Sequence, residues 1–129
     1  MSLRDHIKTI DDSDLRIVRV PEWDKPATTE ADAYECKIKI VSLSALERTK
    51  WEESLVQGSG KKAKAKLDHA RAALVIRAAR DPESGSPIFK SGDESWLSGK
   101  NSKPLSRLYD VAAELSGITD DDIEELAEN

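Results

Sequence analysis

Cys36-Lys37-Ile38-Lys39-Ile40-Val41-Ser42-Leu43-Ser44-Ala45-Leu46-Glu47 changes its period in the middle, and that change decides the fold class. Up to Val41 apolar and charged residues alternate, so Ile38 and Ile40 share one face while Lys37 and Lys39 share the other. That is a strand buried on one side. Ser44-Ala45-Leu46-Glu47 then reads as a capping box, the serine accepting from the N3 amide and the glutamate reaching back to the first turn. A helix follows from 45 to about 56 with Leu46, Trp51, Leu55 and Val56 as its apolar stripe. Strand and helix side by side in so short a space imply an α+β fold.

Upstream, Leu15-Arg16-Ile17-Val18-Arg19-Val20 is a second β-branched run, closed by Pro21, and residues 15–20 and 36–41 are expected to form one small antiparallel hairpin. Such a pair is not stable alone and needs helices against one face. Ser2 caps an opening helix over 2–10 with Leu3, Ile7 and Ile10 in register, and Asp11-Asp12-Ser13-Asp14 ends it. Downstream, residues 61–80 are read as the longest helical segment. It is basic over Lys61–Lys66 and apolar over most of its circumference from Ala70 to Ala79, with Asp81-Pro82 as its stop. Ile88 and Phe89 anchor a turn-rich stretch over 81–92, and a short turn at 93–97 presents Trp96 and Leu97. Pro104 at N1 opens a helix with Leu105, Leu108, Ala112 and Leu115 on one stripe, and Gly117 stands where a left-handed C′ residue belongs. Thr119 and Asp122 then form a second capping box, with Ile118 placed to staple onto Ile123. The expected fold is α+β and mainly α: four to five helices around one hairpin. A single domain over 1–129 divides into a helix and hairpin (1–43) and a helical part (44–129), with a flexible joint near 57–62 and an acidic terminal helix over 119–127.

Composition narrows function by exclusion. The 129 residues are 38% hydrophobic, 35% charged and 5% aromatic, which suits one domain. A mean hydropathy of −0.57 and the lack of any run near the roughly 20 apolar residues of a membrane span argue for a soluble, cytosolic protein. Met1–His6 has neither an apolar core nor a cleavage pattern, so no secretory leader is expected. One cysteine, Cys36, and two histidines, His6 and His69, leave no disulfide and no cysteine-based zinc cage. The net charge of −5 is unevenly spread: −2 over 1–44, +5 over 45–80 and −8 over 81–129.

Each candidate chemistry stands beside a plainer explanation. Glu35-Cys36-Lys37 with Asp24 or Asp32 upstream has the acid and lysine of a metal-dependent nuclease on one strand face, but the same pattern describes a solvated strand in a chain this charged. The acid clusters at 11–14, 81–83 and 120–125 lack the spacing of a calcium loop, and capping accounts for them. Gly58-Ser59-Gly60-Lys61-Lys62 lacks the full spacing of a phosphate loop and reads as a linker. No catalytic group, cofactor or metal is therefore expected. Nucleic-acid or regulator binding by the basic 61–71 face is the alternative function, opposed by the acidic pI near 5.1 and the lack of stacking aromatics. Trp23, Trp51 and Trp96 are either core residues or interface anchors, and the sequence leaves both open.

The order of these pieces resembles the tail assembly chaperones of long-tailed bacteriophages and prophages. The opening helix, Val20-Pro21-Glu22-Trp23, Leu43-Ser44-Ala45-Leu46-Glu47-Arg48 leading into Trp51-Glu52, and the long apolar helix carry the resemblance. So do Asp81-Pro82-Glu83-Ser84-Gly85-Ser86-Pro87-Ile88-Phe89, the Leu105/Leu108 helix, Leu115-Ser116-Gly117 and Ile123-Glu124-Glu125. The 24–35 loop is longer than the tight turn expected of the family. The resemblance implies a non-enzymatic role: binding the helical, aggregation-prone tape measure protein, keeping it soluble, and helping tail-tube subunits assemble around it. It implies action in the host bacterial cytoplasm, absence from the mature virion, and often a frameshifted longer form that recruits tail-tube protein. It admits a homo-oligomer and implies neither membrane nor nucleic-acid partners. Trp51 and Leu55, Trp96 and Leu97, or Ile123 and Leu126 are the candidate apolar contacts with the client.

Overall fold

A computed structural model describes residues 2–25, 35–56 and 69–128. Its elements in chain order are α1 (Leu3–Thr9), β1 (Leu15–Arg19), a 3-10 turn (Pro21–Trp23), β2 (Lys37–Val41), α2 (Ala45–Val56), α3 (Ala70–Ala78), β3 (Ala79–Arg80), α4 (Glu94–Leu97), α5 (Ser102–Ser116) and α6 (Asp120–Glu128). The expected α+β, mainly α class is what the chain adopts. The joint expected near 57–62, the basic stretch up to residue 68 and most of the 24–35 loop lie outside the described residues.

The sheet is built as the alternation demands. β1 and β2 are antiparallel, with Val18 opposite Ile38 and Arg16 opposite Ile40. Val18, Val20, Ile38 and Ile40 are buried, whereas Leu15, Ile17 and Lys37 are exposed. The ladder continues past β1, where the Val20 amide donates to the Cys36 carbonyl at 2.9 Å. At its other end the Ser42 amide donates to the Asp14 carbonyl at 2.8 Å.

One expectation is corrected here. The apolar helix ends at Ala78, not at Asp81-Pro82, and Ala79-Arg80 turn into a third strand paired with Ile40 and Lys39. The hairpin is thus a three-stranded sheet in the order β1-β2-β3. Ala79 is fully buried, and its pairing satisfies backbone groups that a frayed helix end would leave open in the core.

Helices α3 and α5 pack on each other, and α5 also covers β1 and β2. Trp51, Leu55, Ala72, Leu74, Val75, Ala78, Leu97, Leu108, Ala112 and Ile118 belong to the resulting core. The Trp51 indole N–H donates to the Ala70 carbonyl at 3.2 Å, which joins α2 to the start of α3. Tyr109 is buried beside them, with the Arg71 guanidinium 5.0 Å above its ring.

Several caps follow the sequence and two do not. Ser44 accepts from the Glu47 amide at 3.1 Å, but the Glu47 carboxylate turns away from the helix start and pairs with Arg77 of α3 at 3.1 Å. A charged partner on a neighbouring helix outcompetes the reciprocal cap bond. Helix α5 opens two residues before Pro104, with Asn101 as cap accepting from Lys103 at 2.9 Å. Pro104 still falls in the first turn, where its missing N–H costs no bond. Gly117 ends α5 at φ 66°, and the Ile118 amide reaches the Ala113 carbonyl at 2.8 Å. The capping box of α6 closes in both directions: Asp122 accepts from the Thr119 amide at 2.7 Å, and Thr119 Oγ1 accepts from the Asp122 amide at 3.3 Å.

Candidate functional site

An apolar groove of about 420 Å³ opens on the described surface. Four short pieces of chain line it: Trp23 from the 3-10 turn, Cys36 to Ile38 at the start of β2, Asp81, Pro82, Ile88 and Phe89 from the loop after β3, and Trp96, Leu97 and Lys100 at and beyond α4. Leu97 and Cys36 are closed off beneath it. Ile88 and Trp96 stand on its rim, 40% and 50% exposed. Phe89 and Trp96 meet in a tilted pair, with centroids 5.9 Å apart and planes at 55°. Such a pair presents a ring face and a ring edge together, a surface suited to aliphatic side chains.

Ion pairs fix one wall. The Glu22 carboxylate takes both guanidinium nitrogens of Arg107 at 2.7 Å, which ties the turn carrying Trp23 to α5. That guanidinium holds the Glu22 carboxyl down at about 2. Next to Trp23, Asp24 accepts from Arg19 through both oxygens at 2.6 Å and from the Cys36 amide at 2.7 Å. Arg19 likewise keeps the Asp24 carboxyl below its ordinary range. Burial pushes the Cys36 thiol up.

Tight turns fix the other wall. Asp81 Oδ1 accepts from the Glu83 amide at 2.8 Å and the Ser84 amide at 3.1 Å, the Asp81 amide donates to the Ser86 carbonyl at 2.9 Å, and Gly85 supplies the positive φ of 74°. Pro87 bridges to Arg80, so the loop extends the sheet edge. The groove is therefore preformed, with little ordering left to be done when something binds.

The sequence candidates separate sharply by burial. Trp51 and Leu97 are fully buried and Leu55 is 2% exposed, so these three build the core and offer no surface to a partner. A stripe at helical spacing has the same residue types whether it faces a core or a client, which is why composition did not separate them. Trp96 is on the groove rim. Ile123 is half-buried against the core, and the Leu126 side chain lies outside the described residues. Trp23, Ile88 and Phe89 join Trp96 although their sequence positions span more than 70 residues.

The other chemistries meet plain geometry. In the nuclease-like pattern Asp24 is taken up by Arg19 and Cys36, and Glu35 pairs with Lys37 at 3.6 Å, while Asp32 lies outside the described residues. Among the described residues no group of three or more His, Cys, Asp or Glu side chains is placed to hold a metal ion, and no helix is long and apolar enough to cross a membrane. Of the basic 61–71 face, only His69, Ala70 and Arg71 are described, and Arg71 sits over Tyr109.

Comparison with solved structures gives the fold a precedent. The chain is similar to the tail assembly chaperone of bacteriophage HK97, with a TM-score of 0.54 and 22% sequence identity over 80% of this chain and 85% of that one. The fold is that of a phage tail assembly chaperone, as the order of sequence motifs led one to expect. No protein-family model matches the chain, and no curated protein sequence does.

Proposed function

We propose that the chain is a phage or prophage tail assembly chaperone. It is non-enzymatic, holds apolar helical segments of the tape measure protein in the Trp23/Phe89/Trp96 groove, and keeps that client soluble while the tail tube assembles. The observation that carries this reading is the coincidence of a preformed apolar groove with a fold similar to that of the HK97 chaperone. An aliphatic side chain moved from water into such a groove contributes about 1.5–3 kcal/mol, so two or three anchors suffice for a reversible hold. The net charge of −5 adds repulsion between loaded complexes and opposes their aggregation. In this reading the protein works in the host bacterial cytoplasm, leaves before the virion matures, and reaches the tail-tube protein through a frameshifted longer form. It needs neither cofactor nor nucleic acid.

Co-expression with the tape measure protein tests the proposal. The parent chain should raise the soluble client fraction severalfold, and Ile88→Asp or Trp96→Asp should abolish that gain while leaving the circular dichroism spectrum unchanged. Equal solubilisation by both folded variants would remove the groove from the mechanism.

A further inference from the structure

The groove is apolar within, but charges of both signs stand around it. Lys37, Asp81 and Lys100 line it, and an adjoining depression of about 280 Å³ shares Lys37, Asp81 and Pro82 with it and adds Glu35 and Glu83. Lys100 lines the groove and not that depression, so it stands apart from the acidic side.

Most of the surrounding charge is already matched. Arg107 holds Glu22, Arg19 holds Asp24, and Lys37 lies 3.6 Å from Glu35. That leaves Asp81, Glu83 and Lys100, none of which has an ion-pair partner among the described residues. The amides of Glu83 and Ser84 donate to Asp81 and keep its carboxyl ionised well below the usual range, so they fix its place without removing its charge. The Lys100 amide donates to the Leu97 carbonyl at 3.0 Å, a turn that sets the lysine just past Trp96. Glu83 and Lys100 are both exposed.

Uncompensated charge thus borders one apolar surface at two places, and with opposite sign. A purely apolar occupant would strip water from these groups and put nothing in its stead. An occupant flanked by one sign alone would meet repulsion at one place for the attraction at the other. A segment flanked by both signs satisfies the whole rim.

We infer that the client segment taken by the groove is an amphipathic helix whose apolar anchors are flanked by a cation on the side of Asp81 and Glu83 and by a carboxylate on the side of Lys100. This rests on the groove being the docking site assigned under the proposed function. Exposed ion pairs each change affinity only about two- to fivefold. The apolar anchors therefore supply the hold, and the rim charges choose among apolar segments.

Three synthetic helical peptides with the same leucine stripe test the inference. One is flanked by lysines on one side and glutamates on the other, one by lysines on both sides, and one by glutamates on both. Fluorescence anisotropy of the labelled peptides with the full chain, at low ionic strength where exposed charges are least screened, should rank the two-signed peptide first by about two- to fivefold. Lys100→Glu should bring the all-lysine peptide to the front. Glu83→Lys should erase the lead of the two-signed peptide over the all-glutamate one. Equal affinities for all three, first place for a one-signed peptide with the parent, or a lead that either substitution leaves intact would overturn the inference and spare the groove as a docking site. Peptides that bind the parent no better than they bind Trp96→Asp would overturn both.

Discussion

At the scale of single residues, the Glu22–Arg107 pair sets a pH dependence whose sign follows from the structure. Glu22 ionises at about 2 in the folded chain against an ordinary value of 4.5. Between those values the unfolded chain binds the extra proton, so the pair's contribution is complete above 4.5 and is lost as pH falls through about 2. Arg19–Asp24 and Arg16–Glu114 push their carboxyls in the same direction. Urea midpoints measured from pH 6 down to pH 2.5 should fall steeply for the parent and more shallowly for Glu22→Gln. Equal slopes would mean that the pair forms no tighter in the folded chain than in the unfolded one. None of these pairs was legible in the sequence, because Glu22 and Arg107 are brought together only by the packing of α5 on the sheet. Local caps were legible, since Ser2, Thr119 and Asp122 act within three residues of their partners. Glu47 marks the boundary between the two cases: its position is local, but its carboxylate answers to Arg77, 30 residues away.

Among elements, periodicity located the strands and helices well, because amphipathic burial leaves a regular trace. It failed at Ala79-Arg80, where small and charged residues carry no strand signal and the neighbouring Ile40 and Lys39 impose the extended conformation. It also failed to distinguish Leu46, which follows the α2 stripe but stands 63% exposed. The α5–α6 junction was read correctly, and it depends on one backbone conformation. Gly117 sits at φ 66°, with nothing within 4 Å of where a Cβ would be. Gly117→Ala should therefore cost about 1 kcal/mol from backbone strain alone, with no steric clash to add. Chemical denaturation measures it, and an unchanged midpoint would mean that α6 re-seats without the left-handed turn. Arg48 spans the same junction, meeting Asp122 at 3.5 Å and the Ser116 carbonyl at 3.4 Å.

For the molecule as a whole, the division between core and groove makes two tryptophans report on different properties. Trp51→Ala removes a fully buried ring and leaves the Ala70 carbonyl without its donor, and should cost about 3–5 kcal/mol. Trp96→Ala removes a half-exposed ring and should change stability by no more than about 1 kcal/mol. Denaturant titrations of the two variants check the difference, and comparable losses would place Trp96 in the core. The groove itself could not be assembled from the sequence, since Trp23, Ile88, Phe89 and Trp96 become neighbours only when β2 pairs with both β1 and β3. Aromatic residues in turns were the available signal, and tertiary pairing supplied the rest. At the floor of the groove lies the sole thiol of the chain, and this gives the site an intrinsic clock. With one cysteine per molecule, a single mass increment on alkylation reports exposure of the groove floor without background from any other position. The rate of that increment then reports the fraction of time the groove floor is uncovered, on the unmodified protein and without any added label beforehand.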